Sequence, residues 1–70
     1  MKRYKIAVIG GGSWGTTTAS VISRQCDVTL WARDTQIVSE INQHHTNSLY
    51  LANATLHPKL TATTELQVAV

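Results

Sequence analysis

Ile6-Ala7-Val8-Ile9-Gly10-Gly11-Gly12-Ser13-Trp14-Gly15 is an apolar run halted by a glycine turn, and its reading decides the fold. Glycines at 10, 12 and 15 spell G-x-G-x-x-G. Such a run reads as a buried parallel strand, and a strand–glycine turn–helix unit is what a dinucleotide pyrophosphate needs. Gly10 permits the tight turn. Gly12 lets backbone approach the phosphates with no Cβ in the way, and Gly15 lets the following helix pack closely on the strand. The helix N-terminus offers unpaired N–H groups and a partial positive charge to the anion. The glycine pattern alone is a weak signal, so its surroundings carry the case.

Seventy residues are fewer than a typical domain contains. Hydrophobic residues make up 43% of the chain and nothing in it suggests disorder or low complexity. A parallel sheet needs helices on both faces, and this chain has too few elements to supply them. It therefore reads as the first part of a larger α/β domain, whether as a fragment, a truncated reading frame or a trimmed chain.

The formal net charge is +2, with a basic cluster at Lys2, Arg3 and Lys5. That cluster reads as the solvated lead-in to a strand. No aromatic residues interleave with it and no basic stripe extends it, so a nucleic-acid partner is not expected. Met1-Lys2-Arg3 resembles the start of a signal peptide, but the glycines stop the apolar run too early for one. No stretch approaches membrane-spanning length, and no stable membrane insertion is expected. Cys26 is the one cysteine, which excludes an internal disulfide and fits a reducing compartment. It reads as a small buried hydrophobe. A cytoplasmic, soluble protein is the expectation.

Along the chain, Tyr4 to Ile9 reads as the first strand. Ser13 is expected to cap a helix from about Trp14 to Arg24, with Ala19, Val21 and Ile22 buried. Thr16, Thr17 and Thr18 are indifferent helix formers, so packing must hold that segment. Gln25-Cys26-Asp27 makes a turn, and Val28-Thr29-Leu30-Trp31 is a second strand. Asp34 or Thr35 caps a second helix whose apolar face is Ile37, Val38 and Ile41. That helix fades around Gln43-His44-His45. Thr46 to Pro58 is irregular, anchored by Leu49, Tyr50, Leu51 and Leu56. Leu60 to Thr63 forms a short third strand, and Thr64 caps a last helix beginning Glu65-Leu66. Strand–helix–strand–helix–strand is half of a doubly wound fold with right-handed crossovers.

The second half of the fingerprint lies at the end of the second strand. An acid there binds the ribose 2′-hydroxyl of NAD, and an arginine nearby receives the 2′-phosphate of NADP. Arg33 stands eighteen positions after Gly15 and is followed by Asp34. Its planar, permanently charged fork suits a phosphate, which favours NADPH over NADH. Asp34 reads mainly as a helix cap, with a hydrogen bond to the ribose as the alternative. Ser13 can offer its hydroxyl and N–H to the pyrophosphate. Trp14 is either a roof over the cofactor or substrate cleft, or an anchor in a core or domain interface. Trp31 reads as core. His44, His45 and His57 lack partners at ligand spacing, so no metal is expected. No nucleophilic triad or carboxylate pair can be assembled, and Lys59, in a polar loop, is not read as a catalytic acid.

With these residues in view, Lys5-Ile6-Ala7-Val8-Ile9-Gly10-Gly11-Gly12-Ser13-Trp14-Gly15-Thr16 resembles the opening of the bacterial-type NAD(P)-dependent glycerol-3-phosphate dehydrogenases. Similarity continues through Val28-Thr29-Leu30-Trp31-Ala32-Arg33-Asp34, Ile41-Asn42, His45, Asn47 and Tyr50-Leu51. It ends with Leu60, Ala62-Thr63-Thr64 and Glu65-Leu66. The resemblance implies α/β architecture, the N-terminal, incomplete β-α-β-α-β part of a Rossmann doubly wound parallel sheet. It implies a partial NAD(P)-binding domain over 1–70, with the rest of that domain and a helical C-terminal substrate domain lying beyond. It implies reduction of dihydroxyacetone phosphate to sn-glycerol 3-phosphate with NADPH or NADH, feeding phospholipid synthesis in a bacterial cytoplasm, and a homodimer when complete. Carried over by position, Ser13, Trp14 and Arg33 contact the cofactor, and Asp34 and Tyr50 border it. The family's catalytic lysine falls beyond Val70, so the chain alone is not expected to catalyse. Two departures stand out: Ala52-Asn53 where the family usually has Pro-Gly, and Thr18 and Ser20 in place of small apolar residues. Another two-domain Rossmann dehydrogenase and a non-catalytic nucleotide-binding remnant are the alternative readings.

Overall fold

The computed structural model describes residues 4–10, 12–51 and 54–69. Lys2, Arg3, Gly11, the Ala52-Asn53 pair and Val70 lie outside the described residues, and so do the expectations that fall on them. β1 (Lys5–Ile9), α1 (Ser13–Ile22), β2 (Asp27–Trp31), α2 (Thr35–His44), β3 (Thr61–Thr63) and α3 (Leu66–Ala69) follow in that order. The strands form one parallel sheet in the order β1-β2-β3. This is the β-α-β-α-β start of a doubly wound sheet, as the element pattern predicts.

The pleat sorts side chains onto two faces. In register, Ile6 lies beside Val28 and Val8 beside Leu30, which in turn neighbours Ala62. This row meets Ala19 of α1 and Ile37 and Ile41 of α2, and Leu56 and Leu60 complete the core. Leu30, Ile41, Leu60 and Val28 are its largest fully buried apolar side chains. The other face carries Lys5, Ala7, Thr29, Trp31 and Thr61 by the same alternation. Val68 and Ala69 of α3 border a depression on it together with Lys5, Ala7 and Thr29. β1 is therefore only half-buried, with Lys5 and Ile9 exposed, where a fully buried strand was expected.

α1 buries a stripe of small residues: Thr16, Ala19 and Ser23 have no exposed surface. Their spacing of three and four is one helix face, and their size lets the helix lie close to the sheet. Val21, expected in the core, is 61% exposed because it falls off that stripe, while Ile22 packs against the core. The helix ends at Ile22 rather than Arg24. Ser23 closes it, its N–H and hydroxyl both donating to the Ala19 carbonyl.

Asp34 caps α2 as expected, its carboxylate accepting from the Gln36 N–H at 2.8 Å. His45 ends α2 in the left-handed conformation, φ 57°, and its N–H donates to the Ile41 carbonyl. The last helix is braced differently from expectation. The Thr63 hydroxyl, not Thr64's, accepts from the Glu65 N–H at 3.1 Å. The Thr64 carbonyl instead accepts from the Trp31 indole N–H at 2.9 Å, which leaves Trp31 half-buried at the sheet's end.

The outer edge of β3 has a side-chain partner. Asn42 of α2 donates from Nδ2 to the Ala62 carbonyl at 2.9 Å and accepts on Oδ1 from the Ala62 N–H at 2.8 Å. One amide side chain thus pairs with β3 as a neighbouring strand would. Asn42 closes this edge at Ala62.

Candidate functional site

The carboxyl ends of parallel strands, where chain passes into helix, are where a doubly wound sheet receives ligands. Gly10 leaves β1 with φ +117°, a conformation that side chains rarely adopt. Its N–H donates to the Trp31 carbonyl at 2.8 Å, which ties the turn to the end of β2. Two residues further on stands Arg33, with its side chain exposed.

The other two glycines differ in what surrounds them. A Cβ on Gly15 would stand 2.6 Å from the Gly10 carbonyl oxygen and 3.8 Å from a Val8 methyl. Helix and strand touch here through bare backbone, as the fingerprint predicts. Among the described residues, a Cβ on Gly12 would meet nothing within 4 Å. The space above Gly12 is open.

Gly12 is the N-cap of α1, in extended backbone, and among the described residues no side chain caps the helix. Ser13 was expected to be the cap. It is instead the first helical residue, with an exposed side chain. The helix start therefore keeps N–H groups that no side-chain cap satisfies, beside an unfilled space over Gly12. Trp14 is 82% exposed, so it is not a core anchor among the described residues. Diphosphate chemistry fits this arrangement: open glycine backbone, an uncapped helix start and an exposed guanidinium at the neighbouring strand end.

Asp34 is engaged as the α2 cap. Tyr50 sits in the loop after α2 and is half-exposed, as is much of Leu49; neither is the buried anchor expected. Leu51 packs on the core and Leu56 is buried within it. His57 accepts on Nδ1 from the Lys59 N–H at 3.1 Å, and its own N–H donates to the Ser20 hydroxyl at 2.8 Å. Ser20, a departure from the family pattern, thus holds the returning loop against α1. Among the described residues no three His, Cys, Asp or Glu side chains are grouped as metal ligands would be, and no helix is long and apolar enough to cross a membrane.

The sequence marks no task for Glu40, and Thr16 and Asn47 enter only as positions that match the family pattern. Asn47 is fully buried and donates from Nδ2 to the Thr16 hydroxyl at 3.0 Å, joining the post-α2 loop to the first turn of α1. The Thr16/Ala19/Ser23 period was the available signal for Thr16. A buried asparagine after a helix leaves no such trace.

A glycerol-3-phosphate dehydrogenase (NAD(P)+) of Corynebacterium diphtheriae is 58% identical over 62 residues, covering 87% of this chain and 19% of that protein. One of Sphingopyxis alaskensis is 48% identical over 68 residues, covering 97% and 20%. The chain thus spans about a fifth of the length of these curated relatives. The crystal structure of glycerol-3-phosphate dehydrogenase from Coxiella burnetii superposes with a TM-score of 0.82 at 35% identity, over 96% of this chain and 21% of that one. A solved structure of Plasmodium falciparum glycerol-3-phosphate dehydrogenase gives 0.85 at 25% identity, over 96% of this chain and 22% of that one. Residues 5–70 match the family described as NAD-dependent glycerol-3-phosphate dehydrogenase N-terminus, and the chain belongs to that family.

Proposed function

We propose that this chain is the cofactor-binding start of an NAD(P)H-dependent oxidoreductase that reduces dihydroxyacetone phosphate to sn-glycerol 3-phosphate. The observation that carries the reading is the open space over Gly12 at the uncapped start of α1. Gly10 and Gly15 support it by shaping the turn, and the family's name supports the dehydrogenase class. Backbone N–H groups from Gly12 onward hold the diphosphate, with the Ser13 hydroxyl beside them. Trp14 roofs the cofactor or the substrate cleft. Arg33 receives the 2′-phosphate and selects NADPH, and Asp34 and Tyr50 border the cofactor, Asp34 also capping α2. When bound, the nicotinamide supplies the hydride.

The same reading makes residues 1–70 part of a larger nucleotide-binding domain, with further strands adding at β1, whose outer edge is the growing one once Asn42 has closed β3. A catalytic lysine and a substrate domain then lie in later sequence. The product would enter phospholipid synthesis in the cytoplasm, and the complete enzyme would be a homodimer.

The test is cofactor preference. NADPH and NADH affinities of the full gene product are measured for wild type and Arg33→Ala. The variant is expected to lose about 10- to 100-fold in NADPH affinity, the scale of one hydrogen bond to a charged group, with NADH little changed. An unchanged preference removes Arg33 from the role. Absence of NADPH oxidation by wild type with dihydroxyacetone phosphate rejects the activity.

A further inference from the structure

The Glu40 carboxylate of α2 gathers three donors from the chain that leaves the helix. The Thr46 hydroxyl at 2.6 Å and the Ser48 N–H at 2.8 Å reach Oε2, and the Ser48 hydroxyl reaches Oε1 at 3.0 Å. Between these two clamped residues, Asn47 points inward to the Thr16 hydroxyl, and the Thr16 N–H donates to the Gly12 carbonyl at 2.9 Å. The Asn47 carbonyl accepts from the N–H groups of Tyr50 and Leu51, at 3.2 and 2.8 Å. A continuous hydrogen-bonded path therefore runs from Glu40 through the loop to the glycine turn, and Tyr50 is wound onto its middle.

We infer that Glu40 is a positioning residue for the cofactor site: it fixes residues 46–51 against α1 so that Tyr50, bonded through its N–H to the Asn47 carbonyl, is held at a set place on the loop tied to the first turn of α1. The inference rests on the reading of that turn as the dinucleotide site. Three donors converging on one side chain need an acceptor with two oxygens, and a carboxylate supplies charge-assisted bonds as well. A loop fixed in advance does not lose that freedom again on binding, so the clamp is expressed as affinity.

A double-mutant cycle tests it on the full gene product, with NADPH as the probe and its fluorescence as the signal. Glu40→Ala is expected to weaken NADPH binding about tenfold, within the range of coupled neighbours. Tyr50→Ala weakens it too, and the double variant binds no worse than Tyr50→Ala alone. An equal loss from Glu40→Ala in both backgrounds marks a general structural role and overturns the inference. So does wild-type affinity in Glu40→Ala. Should Glu40→Ala fail to fold, Glu40→Gln carries the same cycle, since it keeps the shape and one acceptor oxygen. A wild type that binds no NADPH overturns the reading of the turn and this inference together, whereas a binding wild type with an indifferent Glu40 overturns this inference alone.

Discussion

Gly12 and Gly15 are the same residue type three positions apart, and the structure gives them opposite sensitivities. Gly15→Ala forces a Cβ to 2.6 Å from backbone oxygen, which cannot swing away as a side chain would. We expect a loss of about 1–3 kcal/mol in urea unfolding, the cost of overpacking, together with weaker cofactor binding. Gly12→Ala places its methyl in open space on extended backbone. Its stability is expected to change by no more than about 1 kcal/mol, the scale of an N-cap exchange. NADPH affinity is nonetheless expected to fall about tenfold or more, as bonds to the anion are lost. Equal behaviour of the two variants in both measurements would contradict this division. The turn at Gly10 and the close packing at Gly15 were legible in the fingerprint. Ser13 was misread as a cap because Ser is a preferred capping type, while here Gly12 takes the cap geometry and leaves the helix start without a side-chain partner.

At the scale of elements, the two ends of α2 are tied by side chains whose pattern the sequence discloses unevenly. Asp34 was legible, since an acid before Thr35 and an apolar period announces an N-cap. Asn42 was not, because pairing with Ala62 depends on where β3 lies in space, twenty residues further on. Asn42→Ala leaves both Ala62 groups without this partner. It is expected to cost about 1–3 kcal/mol in chemical unfolding and to raise self-association at the bared edge. Stability and association both at wild-type levels would reject the edge-closing role. Glu40 adds a pH signature. The Thr46 hydroxyl, with the Ser48 donors and nearby His44, holds its carboxyl below the ordinary glutamate range. A lowered folded-state pKa means the clamp contributes fully above the unfolded value and is lost as pH falls through the lowered one. The Ser48 amide resonance should therefore titrate with a midpoint below that of an ordinary glutamate. A midpoint at or above the ordinary value would show that the carboxylate is not held as charged acceptor.

The whole molecule is a sheet with one face packed, one face partly covered by α3, and one edge closed by a side chain. The strand–helix alternation, the parallel order and most of the core were legible, because apolar period and turn chemistry agree at Ile6–Ile9, Val28–Trp31 and Ile37–Ile41. The loop from Thr46 to Pro58 was not, because its ties run to Glu40, Thr16 and Ser20, far away in sequence and through polar atoms. A three-stranded sheet so little covered is expected to be marginal by itself. Residues 1–70 alone should melt broadly by circular dichroism, and a sharp cooperative transition would contradict that. The central claim is that a diphosphate rests on the amides of the bend between β1 and α1. Amide chemical-shift mapping of the full gene product during NADPH titration tests it most directly. The account predicts the largest shifts at Gly12, Ser13 and Trp14, with Arg33 responding to NADPH and not to NADH; saturation with those three amides unmoved would contradict it.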